Sequence, residues 1–180
     1  MDIFSEDHRG TPSSPGRVVT LIERAHWESC KEELHHQQPE KVYGAAYRVP
    51  PEHVERVKKY LDIREINGYS IQYTTFHPFR SSVTEARSLS STVAESSDLA
   101  ADRMSEPISD CLVYIGLPDN PQFLGLQDPS DIAKVIAASE GPSGRNDEYL
   151  FMLDSALRQL GVEDDHVSDL VKRVKYLKST

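Results

Sequence analysis

The sequence predicts an α+β fold: a small, mainly antiparallel β-sheet or barrel flanked by helices. Three observations lead there. Strand-like segments come first along the chain and helix-like segments last. The connection between the third and fourth strand-like segments carries no helical period, so it is not the crossover helix of a parallel βαβ unit. The length, 180 residues, suits one domain with its own core. The chain is therefore read as a single domain over 1–180, with a flexible Ser-rich insertion at 80–109.

Each element follows from local pattern. VVTLI, Val18 to Ile22, is short and β-branched behind the turn-rich TPSSPG, and reads as a strand. The polar stretch from Glu23 to Lys41 reads mainly as a loop, with room for one short helical turn. VYGAAYRV, Val42 to Val49, reads as a second strand, and its Gly44 predicts close approach of another backbone or a ligand. Pro50 and Pro51, then Glu52, suit a helix start. Val54, Val57 and Leu61 continue that helix, and Asn67-Gly68 stops it. YSIQYTTF, Tyr69 to Phe76, alternates as a third strand. From Arg80 to Ser109 the chain is Ser-rich, without an aromatic residue or a sustained period.

CLVYIGL, Cys111 to Leu117, has the continuous apolar character of a buried strand and is ended by PDNP. PSDIAKVIAASEG reads as a helix with Ser130 as N-cap and Gly141 as its stop. GRNDEYLFMLDSALRQLG is the clearest helix, its apolar stripe formed by Tyr149, Met152, Leu153, Ala156, Leu157 and Leu160. The last helix carries Val167, Leu170, Val171, Val174 and Leu177. Its acids lie early and its lysines late, as the helix dipole prefers.

Composition narrows the function. With Asp and Glu at 29 against Lys and Arg at 20, the net charge is -9. That disfavours nucleic acid and anionic membrane surfaces as partners, because both reward a basic surface. Two cysteines, Cys30 and Cys111, are too few for a disulfide framework and form no CxxC motif, so reduced thiols in the cytoplasm are expected. The start, MDIFSEDHRG, has neither the basic nor the apolar region of a signal peptide, and no apolar run approaches the roughly 20 residues that span a bilayer.

The candidate chemistry is sparse. His26, Cys30, His35 and His36 match no zinc spacing, and a solvated loop is the expectation there. His8, Asp7 and Ser5 are neighbours in sequence, which does not make a triad. GPSGRN, Gly141 to Asn146, lacks the lysine of a phosphate loop; it leads into a helix N-terminus and reads first as a plain helix entry. Glu65 leaves two readings open. If the helix from Val54 reaches it, a rotation of about 100° per residue places Glu65 close to the Val54, Val57 and Leu61 stripe. An acid there, near a helix C-terminus, is doubly unfavourable, and partial burial suits a proton carrier. If the helix ends at Asp62 or Ile63, Glu65 sits in a wet turn.

Five segments, in order, then carry a resemblance: SEDHRGTPSSPGRVVTL, VYGAAYRVP, YLDIREINGY, VYIGLPDNPQFLG and GPSGRNDEYLF. Together they resemble the ChaC-type, glutathione-specific gamma-glutamylcyclotransferases. The likeness runs from Ser5 to about Lys178, outside two inserts near 23–41 and 79–109. It implies a small, partly closed β-barrel flanked by helices. It also implies cleavage of glutathione to 5-oxoproline and cysteinylglycine, the substrate's own α-amine attacking its γ-carbonyl. No metal or organic cofactor is needed for that reaction. The R-E-x-x-G-Y motif implies Glu65 as general acid/base. Tyr149 matches a family tyrosine near the substrate pocket and is expected to bind substrate; packing on its helix stripe is the alternative. Arg9 has two open readings, contact with a substrate carboxylate or bracing of its own loop, and neither is assigned. The family's Y-G-S-L loop has no counterpart in the sequence, so the expectations include a sheet without its N-terminal strand. They also include an alternative function, a catalytically impaired gamma-glutamyl-binding relative. Oligomeric state is left open, a monomer being the expectation.

Overall fold

The structure, a computed structural model, describes residues 8–30, 41–64, 68–78, 106–120, 122–125 and 127–180. In chain order these form α1 (Arg24–Ser29), a 3-10 turn (Pro51–His53), α2 (Val54–Arg64), β1 (Tyr69–Phe76) and β2 (Ile108–Gly116). There follow α3 (Pro129–Ala138), β3 (Glu140–Gly141), β4 (Gly144–Arg145), α4 (Asn146–Gln159) and α5 (Asp165–Ser179). The expected mix of helix and antiparallel sheet is present. The described strands make two separate two-stranded antiparallel sheets, β1–β2 and β3–β4, and do not close a barrel.

The alternation of YSIQYTTF does specify a strand, and its register on β2 runs from Tyr69 opposite Gly116 to Phe76 opposite Ile108. The register shifts between Thr74 and Phe76, and beside the shift Asp110 adopts a left-handed φ of 59°, which Asp tolerates better than most residues. Strand β2 begins earlier than its apolar run, so Ile108 and Ser109, read as the end of the insertion, are its first two residues. The Ser-rich stretch itself, 79–105, lies outside the described residues.

The core belongs to the C-terminal helices. Ala133 and Ile136 of α3, Leu150 of α4, and Val167, Leu170, Val171 and Val174 of α5 are buried against one another, with Ile132, Ala137, Phe151, Leu153 and Leu157 around them. Helix α5 starts on the Asp164 side chain, which accepts the Val167 N–H at 2.9 Å. Helix α3 starts on Asp128, not on Ser130. Pro129 is the first helical residue, and the Asp128 carboxylate accepts the Ser130 N–H at 2.7 Å. That helix ends at Ala138, ahead of Gly141, which instead opens the tight β3–β4 hairpin.

Several expectations need correction. Val18–Ile22 is not a strand; Ile22 alone makes an isolated parallel bridge, to Gly116, while Val18 and Val19 stay exposed. Val42–Val49 is not a strand either. Val42 and Tyr47 are exposed, and among the described residues a Cβ on Gly44 would meet nothing within 4 Å. Both segments have β propensity, but propensity reports fit to a pleated surface and does not supply a paired edge. The stretch after Glu23 holds more than a turn, the six-residue α1. Val54 is exposed, and only Val57 and Leu61 of the α2 stripe are half-buried. On α4 the buried face runs through Leu150, whereas Met152 is exposed.

Candidate functional site

The segment from His8 to Ile22 lies across the N-terminal end of α4 and then reaches the end of β2. It first makes a tight turn in which Thr11 and Ser14 exchange backbone hydrogen bonds at 3.0 Å. The β3–β4 hairpin packs directly against its start. Ser143 N–H donates to the His8 carbonyl at 2.9 Å, and a Cβ on Gly141 would lie 2.4 Å from the Gly10 nitrogen. GPSGRN is therefore a backbone clamp on His8–Gly10 and not a phosphate cradle. At the far end of the segment, Gly116 N–H donates to the Leu21 carbonyl at 2.7 Å.

Between these anchors the segment meets two tyrosines. Val19 N–H donates to Tyr149 Oη at 3.2 Å, and Thr20 Oγ1 donates to Tyr69 Oη at 3.3 Å. The Arg9 guanidinium lies over the Tyr149 ring, 5.6 Å from its centroid, and donates to the Arg145 carbonyl at 3.1 Å. Burial raises the Tyr149 phenol above its ordinary pKa, outweighing the Val19 N–H and the Arg9 charge, which both lower it. The phenol is thus protonated at neutral pH. Its oxygen is occupied as an acceptor from Val19, so its hydrogen is available to a different acceptor.

Glu65 lies outside the described residues, but both its flanks are anchored. Upstream, α2 continues to Arg64, past both Asp62 and Ile63. On that flank Tyr114 Oη donates to Asp62 Oδ1 at 3.3 Å. Downstream, Gly68 has a left-handed φ of 76°, and a Cβ there would stand 2.4 Å from the Asn120 side chain, so only glycine fits. The Gly68 carbonyl accepts the Leu117 N–H at 2.8 Å. Gly116 and Leu117 thus hold two things at once: Leu21, two residues beyond the Tyr149 contact, and the corner that follows Glu65. The structure brings Gly68 and Tyr69, the described end of the R-E-x-x-G-Y motif, and the segment that contacts Tyr149 to one end of the β1–β2 sheet.

Residues that the sequence did not single out build this arrangement. Asn146 is fully buried; its Oδ1 accepts the Arg17 N–H at 2.7 Å, and its Nδ2 donates to the Arg17 carbonyl at 2.7 Å. Asp147 beside it is buried, bridged to Arg145 at 2.8 Å and to Lys178 near the end of α5. Burial, the largest single influence, raises its pKa, but the hydrogen bonds and charges of Arg145 and Lys178 together hold it below the usual carboxylate value. The available signal was the polar pair Asn146-Asp147 at the start of an amphipathic helix. His26 packs edge-on against Phe123 with ring centroids 4.9 Å apart; His35 and His36 lie outside the described residues. Among the described residues no group of three or more His, Cys, Asp or Glu could hold a metal ion, and no helix is long and apolar enough to cross a membrane.

Comparison with known proteins places this geometry. The family model described as ChaC-like protein matches residues 1–177. The chain belongs to the ChaC-like family. The "Glutathione-specific gamma-glutamylcyclotransferase" of Schizosaccharomyces pombe is 35% identical over 175 residues, covering 95% of this ChaC-like chain and 75% of the relative. The Saccharomyces cerevisiae protein of that name is 36% identical over 172 residues, covering 88% and 72%. "Gamma-glutamylcyclotransferase 2-3" of Arabidopsis thaliana is 37% identical over 180 residues, covering 97% and 73%. The crystal structure of the yeast gamma-glutamyl cyclotransferase specific to glutathione superposes with a TM-score of 0.67 at 32% identity, covering 96% of this chain and 82% of that one.

Proposed function

We propose that this ChaC-like chain cleaves glutathione to 5-oxoproline and cysteinylglycine, with Glu65 as general acid/base and Tyr149 binding substrate. The observation that supports the reading most directly is the R-E-x-x-G-Y motif, Arg64 to Tyr69, in a chain whose relatives carry the name of that activity. The α-ammonium of the γ-glutamyl group gives a proton to the Glu65 carboxylate. The freed amine attacks the γ-carbonyl carbon, forming the ring C–N bond. The C–N bond to the cysteine nitrogen then breaks as the γ-carbonyl re-forms. Glu65 returns its proton to that nitrogen, and the second proton of the new ring nitrogen is lost to leave the lactam N–H and is taken up by the departing amine, so that cysteinylglycine leaves as its ammonium. Because the nucleophile belongs to the substrate, orientation supplies much of the acceleration. The protonated Tyr149 phenol, its oxygen engaged by Val19, donates to a substrate carboxylate.

Incubating the chain with glutathione and measuring 5-oxoproline tests this. Turnover that disappears in Glu65→Gln supports it, and equal turnover by that variant removes Glu65 from the role. Glutathione binding without 5-oxoproline release would replace the enzyme with a gamma-glutamyl-binding relative. The same proposal places the chain in the cytoplasm as a monomer, with Cys30 and Cys111 reduced. A solution mass near 20.3 kDa is expected.

A further inference from the structure

We infer that Asn146 is a positioning residue, which fixes the register of the Arg17–Leu21 segment and thereby directs the Tyr149 phenol toward substrate. The inference rests on the proposed role of Tyr149. Asn146 is the first residue of α4, yet its side chain does not cap the helix. Instead its amide faces one peptide residue and satisfies both of that residue's backbone groups, the Arg17 N–H and carbonyl, each at 2.7 Å. Its own N–H donates to the Ser139 carbonyl at 3.0 Å, which fixes the backbone that carries the side chain. A side-chain amide thus stands in for the opposite residue of an antiparallel ladder pair.

Neighbouring residues crowd the peptide from its other sides. A Cβ on Gly16 would lie 2.5 Å from the Arg9 carbonyl oxygen and 3.0 Å from Asn146 Oδ1. The Arg17 side chain donates to Gln127 Oε1 at 3.0 Å. Tyr149 follows Asn146 by three residues, about 4.5 Å along the helix. Val19 follows Arg17 by two residues, about 6.6 Å along an extended chain. Asn146 and Tyr149 are therefore successive holds, on one helix face, of every second residue of the segment. A slip of one residue turns the backbone groups to the other edge. Tyr149 then loses the Val19 donor that occupies its oxygen, and Thr20 loses Tyr69.

The test compares Asn146→Asp, which places a second acceptor against the Arg17 carbonyl, with Tyr149→Phe and the double variant. The expected kcat/KM for glutathione falls roughly 10- to 100-fold in Asn146→Asp, mainly through KM. In the double variant the losses do not multiply: it stays within about twofold of Tyr149→Phe alone. Losses that multiply would overturn the inference. Amide hydrogen exchange in the absence of substrate gives an independent reading. Val19 is expected to exchange about tenfold faster in Asn146→Asp, with Leu170 and Val174 of α5 unchanged. Faster exchange at Arg17 with Val19 unchanged overturns the inference. Should Asn146→Asp not fold, Gly16→Ala displaces the same peptide from its other side and is held to the same Val19 outcomes. A wild-type chain without turnover defeats the proposed function, while the Val19 exchange still decides the register claim.

Discussion

Replacing Tyr149 with Phe removes a single oxygen, and the structure separates what that does to stability from what it does to binding. The oxygen accepts one hydrogen bond, from Val19 N–H at 3.2 Å. Val19 lies on an exposed stretch, so water takes the place of the lost acceptor. A net hydrogen-bond contribution of about 0.5–1.5 kcal/mol bounds the loss of folding free energy. At about 2–4 °C per kcal/mol for a chain of this size, Tm falls by about 1–6 °C. The ring remains, and so does the Arg9 guanidinium over its face. A phenol hydrogen bond to a substrate carboxylate is worth more, about 1.5–3 kcal/mol, because the acceptor is charged. Tenfold per 1.4 kcal/mol converts this to a loss of roughly 10- to 150-fold in kcat/KM. The assays are a thermal melt and initial rates of 5-oxoproline formation. A Tm drop beyond about 6 °C with kcat/KM unchanged would show that Tyr149 serves packing alone, and the substrate-binding role would be abandoned.

Further outcomes follow from other parts of the molecule. Glu65→Gln should lower kcat by about 10²- to 10⁴-fold while glutathione still binds, measured by calorimetry beside the rate assay; binding and kcat lost in equal proportion would argue for a structural Glu65. Asp147 has its pKa depressed in the folded state, so the stability it contributes is present above its unfolded value and is lost as pH falls through the folded one. The acid limb of a denaturation profile below about pH 4 should therefore flatten in Asp147→Asn, and an unchanged limb would remove Asp147 as its source. Leu170→Ala, in the centre of the three-helix core, should cost about 2–4 kcal/mol by urea titration, and a cost under about 1 kcal/mol would mean that the site collapses around the smaller side chain. Gly68→Ala combines a left-handed φ with a collision against Asn120 and should cost both stability and turnover, the latter because it displaces the corner after Glu65.

Short-range pattern was legible in the residues alone. Alternation in YSIQYTTF set β1 to the residue, and the period of Val167, Leu170, Val171 and Val174 set the buried face of α5, although Leu177 of the same series is exposed. The ordered motifs gave the family and Glu65 as the residue to ask about. Tertiary structure decided the rest, because those features depend on partners distant in the chain. Val18–Ile22 and Val42–Val49 carry strand composition, but a strand exists only where an edge pairs with it, and composition does not report the edge. Asp128 displaced Ser130 as the cap because Pro129 occupies the first helical position. Asn146 looked like one more polar residue at a helix start; its purpose emerges only when Arg17, 129 positions earlier, is laid against it. A hydrogen-bonding side chain gets its role from the atoms that fold onto it, and those are fixed by the packing of the whole chain.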